Sequence, residues 1–149
     1  MIKRYKWPLI LVLALLAGAF FVYDHFYQSG IRAVEGFSAS YDHFDKAVSD
    51  LSANMTDDSE SKARAALAEL KAKAAFRLSS LIRNDGELMN QAHEVADISG
   101  REMASLEAYR RAIQNKNANL DELAREYGDL AGKRKAAFAH FRELGGSQD

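Results

Sequence analysis

Residues 34–55 read VEGFSASYDHFDKAVSDLSANM, and within them Val34, Phe37, Tyr41, Phe44, Val48, Leu51 and Met55 alternate spacings of three and four. A 3.5-residue apolar repeat lines one stripe of a helix and sets up left-handed knobs-into-holes packing. Working outward, the same spacing recurs three times. The second stripe runs Ala63, Leu67, Leu70, Ala74, Leu78, Leu81, with one skip at 74–78. The third runs Leu88, Ala92, Val95, Ser99, Met103, Leu106, Tyr109, Ile113, and the fourth Leu120, Leu123, Tyr127, Leu130, Arg134, Ala137, Phe141, Leu144.

Three polar breaks separate the stripes, and each carries helix-starting chemistry. Asp57 and Glu60, Asn84 and Glu87, and Asn119 and Glu122 all stand three apart, as an N-cap and its N3 partner do. Gly145-Gly146 supplies the final stop. Helices are expected near 31–54, 58–83, 86–115 and 119–144, each about 40 Å long and joined by short loops. The fold class that follows is all-α: an antiparallel up-down-up-down four-helix bundle with coiled-coil-like packing. Composition agrees, with 25 alanines, one threonine and a single proline, Pro8, in 149 residues.

Upstream, Trp7 to Tyr23 reads WPLILVLALLAGAFFVY, 17 residues without a charge. That length reaches the lower bound for a membrane-spanning helix, and Pro8 falls in its first turn, where no helical hydrogen bond is lost. Phe20, Phe21, Tyr23, Phe26 and Tyr27 cluster where an aromatic belt would meet the far interface. Residues 1–6 carry Lys3, Arg4 and Lys6 with no acid, while the chain beyond residue 23 has 17 bases against 21 acids. By the positive-inside rule, residues 1–6 are a cytoplasmic segment, 7–27 a transmembrane signal-anchor, 28–146 an extracytoplasmic bundle and 147–149 a tail. Ala17-Gly18-Ala19 also matches a signal-peptidase site, so the second reading of the segment is cleavage near Ala19 and release. Against cleavage, the apolar run continues through Phe20, Phe21 and Val22. The stripe on the first helix extends back through Tyr27 and Tyr23, so anchor and first helix can form one rod, with Gly30 and Gly36 as soft points.

The residues exclude much chemistry. Without cysteine there is no disulfide scaffold, thiolate zinc site or cysteine nucleophile. No His-Glu-x-x-His, Glu-x-x-His pair, glycine-rich phosphate loop or nucleophile elbow occurs, so no catalytic residue, cofactor or metal is expected. His43, His93 and His140 project away from their stripes. A net charge of -1 with no basic stripe gives no case for nucleic acid.

One polar layer interrupts the bundle. Ser99-Gly100-Arg101-Glu102 matches a capping box inside the third stripe and predicts a kink or a division into two helices. Across an antiparallel hairpin Ser99 comes level with Arg134, the only charge on the fourth stripe, and Lys71 and Tyr41 reach the same height. The candidate layer or ligand site is therefore Tyr41, Ser99, Glu102 and Arg134. The commonest fate of such an arginine is to snorkel to the bundle edge; the others are an internal pair with Glu102 and a pocket for a carboxylate ligand. Phe76 lies about 180° from Leu67 and would be exposed on a simple bundle, as a candidate partner surface.

The functional expectation is a non-enzymatic, membrane-tethered envelope module that contacts an envelope protein or its own copy. With one anchor leading directly into four long helices, residues 7–144 also resemble the periplasmic half of four-helix-bundle chemoreceptors. That resemblance implies small-molecule sensing. Since no second membrane helix follows Leu144, a signal would pass through a partner.

Overall fold

A computed structural model describes residues 6–77, 86–115 and 119–145. They form four helices: α1 (Lys6–Asn54), α2 (Asp57–Ala74), α3 (Gly86–Gln114) and α4 (Leu120–Gly145). No strand occurs among the described residues. The basic residues Lys3 and Arg4, the Asn84-Asp85 cap, Leu78, Leu81, Gly146 and the tail at 147–149 lie outside them.

α1 is unbroken for 49 residues, so the apolar segment and the first stripe share one rod, with no interruption at Gly30 or Gly36. Its two halves have opposite environments. Every described side chain from Ile10 to Tyr27 is exposed, Phe20 by 72% and Phe21 by 75%. Phe37, Tyr41, Phe44, Val48 and Leu51 are buried against the other helices. The N-terminal half contains the one window among the described residues apolar enough to cross a membrane, with a mean hydropathy of 1.8.

α1 ends in a tight corner. Met55 takes a left-handed conformation (φ 49°), and its N–H donates to the Leu51 carbonyl at 2.8 Å. The next residue caps α2: the Ser59 N–H donates to Thr56 Oγ1 at 3.1 Å, and the Thr56 N–H donates to Ser59 Oγ at 3.0 Å. This reciprocal box satisfies donors that the first turn leaves unpaired. The expected cap, Asp57 with Glu60, is therefore displaced by one residue, and both carboxylates instead reach Arg110 on α3. At α4 the Leu123 N–H donates to the Asn119 carbonyl at 3.2 Å, which puts Asn119 at the N-cap position.

α2 stops at Ala74, well short of the expected residue 83. A helix continued past Ala74 would carry Phe76 to the outer face. The break turns Phe76 inward instead, half-buried, with its ring 6.2 Å from that of Phe37. The expectation of an exposed Phe76 is corrected accordingly: the helix is broken at residues 75–77 and the ring is half-buried against the core.

The core is the predicted stripes. Ala63, Leu70 and Ala74 from α2, Leu88 to Leu106 from α3, and Leu130, Ala137 and Phe141 from α4 are buried. Ile113, in the last turn of α3, is the exception at 42% exposed. Close backbone contact joins α1 to α2, α2 to α3 and, most extensively, α3 to α4. The backbones of α1 and α4 barely approach, and long side chains fill the space between them. Phe138 stacks on Tyr41 and Phe141 meets Phe37 edge-on at 4.7 Å.

Candidate functional site

The stripe of α4 has to place a side chain inward at position 134, and the sequence puts an arginine there. Its burial is nearly complete, at 1% exposure. A buried guanidinium needs acceptors and opposite charge, and the neighbouring helices provide both. From α3, Glu102, fully buried, accepts from Arg134 Nε through Oε2 and from Nη2 through Oε1 at 3.4 Å. From α1, Asp45 accepts from Nη2 at 2.6 Å. The guanidinium also lies over two rings of α1, 5.0 Å from the centre of Tyr41 and 5.4 Å from that of Phe44. Arg134 thus crosses the wide α1–α4 seam and ties three helices together.

This geometry corrects the edge-snorkel expectation: the side chain does not reach solvent, because two carboxylates and two aromatic faces hold it inside. It also leaves little for a carboxylate ligand, since Nε and Nη2 are already engaged. Nη1 alone has no hydrogen-bond partner among the described residues.

The electrostatics follow from burial. Desolvation pushes the Glu102 carboxyl above its ordinary value, although the hydrogen bond and charge of Arg134 pull the other way. Desolvation works against the Arg134 charge, but Glu102 and Asp45 more than restore it and hold the guanidinium protonated. Burial likewise lifts the Tyr41 phenol to about 12 against the opposing Arg134 charge.

Three of the four expected layer residues therefore meet: Tyr41, Glu102 and Arg134. Ser99 is buried at the same height but serves its own helix, donating from Oγ to the Val95 carbonyl at 2.7 Å. That back-bond replaces the expected capping box, and α3 runs through Ser99-Gly100 without division. An added Cβ at Gly100 would stand 3.1 Å from Nζ of Lys71, the far end of an exposed α2 side chain. Lys71 reaches the height at which the hairpin registers place it.

Two sets of residues escaped sequence reasoning. Asp45 lies off the α1 stripe and is half-buried, so only its reach across the seam reveals it. The second is an ion-pair network at the other end of α2. Arg110 of α3 holds Asp57 and Glu60, while Arg64 pairs with Glu60 at 2.7 Å and with Glu107 at 3.0 Å. The acidic first turn of α2 was its signal, read as a cap alone. All four histidines are exposed, and no group of metal-ligating side chains exists among the described residues.

The arrangement is a buried ion-pair cluster that links three helices and can fix their register. No family model, curated protein or solved structure matches the chain.

Proposed function

We propose that this chain is a membrane-tethered helical module of the cell envelope, working by protein interaction and not by catalysis. Residues 7–27 anchor it, the N-terminus is cytoplasmic, and residues 28–146 stand outside as an up-down-up-down bundle with coiled-coil-like packing. The bundle topology is supported by opposed pairings, such as His43 with Glu69 and Gly36 with Lys73. Asp57 with Arg110 and Gly100 with Lys71 run the same way between α2 and α3. The packing is supported by burial of the stripes spaced three and four apart.

The observation that carries the reading is the two-faced rod of α1. Its first half is apolar and exposed all round, which in water would be unfavourable and in hydrocarbon is the stable state. Its second half continues without a break into the core. The sensing alternative rests on the layout of residues 7–144 alone, because the carboxylate pocket considered for Arg134 is taken up by Glu102 and Asp45.

Protease treatment of spheroplasts from a bacterial host tests the topology. The bundle is expected to be digested from outside while the protein resists extraction by alkaline carbonate. Protection of the bundle in intact spheroplasts, with digestion only after lysis, would refute the orientation.

A further inference from the structure

The bundle joins its anchor at a basic corner that the fold assembles from two helices. About 30 Å of hydrocarbon takes about 20 residues of helix, which carries the span from Trp7 to Tyr27. The headgroup layer beyond it is about 5–8 Å deep. Arg32 stands past Tyr27 by about 7.5 Å along α1, at the outer edge of that layer. It is exposed, and it is the first lysine or arginine after the apolar segment.

α2 comes down to the same corner. A Cβ on Gly36 would lie 3.9 Å from Lys73 Cδ and 4.0 Å from its Nζ, so the ammonium is level with Gly36. Gly36 is one turn above Arg32 on the same face of α1. Arg77 follows Phe76, whose ring is 6.2 Å from that of Phe37, and so belongs to the same end of the bundle. Lys73 and Arg77 are exposed, and residues 70–77 contain no acid.

The nearest acids of α1 and α2 do not neutralise this corner. Glu69, one turn before Lys73, accepts from His43 at 3.0 Å. Glu35, the one acid of α1 between Asp24 and Asp42, lies about 100° round the helix from Gly36, away from Lys73. The other end of α2 is built differently, with Lys62, Arg64 and the facing Arg110 each against a carboxylate. The carbonyl end of a helix favours bases in its last turn, which accounts for Lys71 and Lys73. It does not account for Arg32, which stands in the middle of α1.

Height decides what such a corner meets. Lys and Arg beside an anionic leaflet are drawn to it, and the attraction fades within a Debye length of about 8–10 Å. Lys73, level with Gly36, is about 6 Å above Arg32, which keeps it inside that range. Because α1 runs from the apolar segment into the bundle without a break, the corner is held at this height.

We propose that Arg32, Lys73 and Arg77 bind the headgroups of anionic phospholipids in the leaflet on which the bundle stands, holding its α1–α2 side against the bilayer. The proposal deepens the tethered reading and rests on it: it names the lipid class that the tethered bundle touches.

The chain has no cysteine, so a single introduced one reports its position cleanly. Ala75→Cys, exposed between Lys73 and Arg77, carries a fluorophore in the full chain reconstituted into nanodiscs. The discs are phosphatidylcholine alone or with a third of phosphatidylglycerol, and both include phosphatidylcholine bearing a nitroxide on its headgroup. Quenching is expected to be about twofold stronger with phosphatidylglycerol and to fall back in high salt. The combined exchange of Arg32→Gln, Lys73→Gln and Arg77→Gln should remove the difference, with circular dichroism showing the helices retained. A fluorophore at Ala65→Cys, exposed higher on α2, should respond to neither lipid. Equal quenching in the two lipids, a difference that survives the triple exchange, or an equal response at Ala65→Cys would overturn the lipid contact and leave the tether standing. Equal quenching would also turn the corner over to an acidic protein surface. A chain recovered outside the nanodisc fraction would remove the tether, and the lipid contact with it.

Discussion

Replacing Arg134 by alanine would strand Glu102, a carboxyl with no exposure, and leave a gap beside Tyr41 and Phe44. Breaking a buried pair by deleting one partner costs about 3–5 kcal/mol, because the remaining charge is uncompensated. Thermal unfolding of the full chain in detergent should show a loss of that size; a loss below about 1 kcal/mol would fit an exposed pair instead. Glu102 also gives stability a pH dependence. Its carboxyl is raised above 4.5 by burial, so the folded chain takes up this proton at a higher pH than the unfolded chain does. The resulting contribution is fully present below 4.5 and is lost as pH rises through the raised value. Relative to Glu102→Gln, which cannot titrate, the parent should therefore gain melting temperature as pH falls from neutral toward 4.5. Of this cluster, Tyr41, Glu102 and Arg134 were legible in the sequence, since seam positions and hairpin counting bring them level. Asp45 was not, because an acid beside a stripe is ordinary surface until a long cation reaches it from another helix. Whether Arg134 would turn outward or inward was also unreadable, for that depends on how far apart α1 and α4 stand.

Helix ends were the least legible elements. The break between α1 and α2 was plain from Asn54 to Asp58, yet the cap itself fell on Thr56, the chain's one threonine. Thr56 and Asp57 both fit the local pattern, and in the folded chain Asp57 and Glu60 are held by Arg110 of α3. Thr56→Ala removes the hydroxyl that accepts from Ser59 and should cost about 1 kcal/mol. In the same melting assay that is a fall of a few degrees, and an unchanged midpoint would mean that the ion pairs alone start α2. The end of α2 was misread for a related reason. Its stripe continues through Leu78 and Leu81 in sequence, but local periodicity takes no account of the long-range attraction between Phe76 and Phe37. α3 gave the opposite lesson: Ser99-Gly100 reads as a stop, yet the helix runs through it and Ser99 bonds back to its own Val95 carbonyl.

At the scale of the whole molecule, the division of α1 joins the parts. The apolar run and the seam were both visible in the sequence, as was the option of a single rod. The first half of that rod is apolar and exposed, and the second is buried against the other helices. The α1–α4 gap was not visible, because stripe spacing defines which face packs but not how closely. That gap houses the Arg134 cluster at mid-height and a groove near Val34 and Gly145. The central claim is that the exposed half of α1 stays attached and holds the bundle at the membrane. Intact-mass measurement of the protein from fractionated cells tests this most directly. The account expects a chain that retains Lys3 to Lys6 in the membrane fraction. A chain beginning at Phe20 and recovered in the soluble fraction would contradict it.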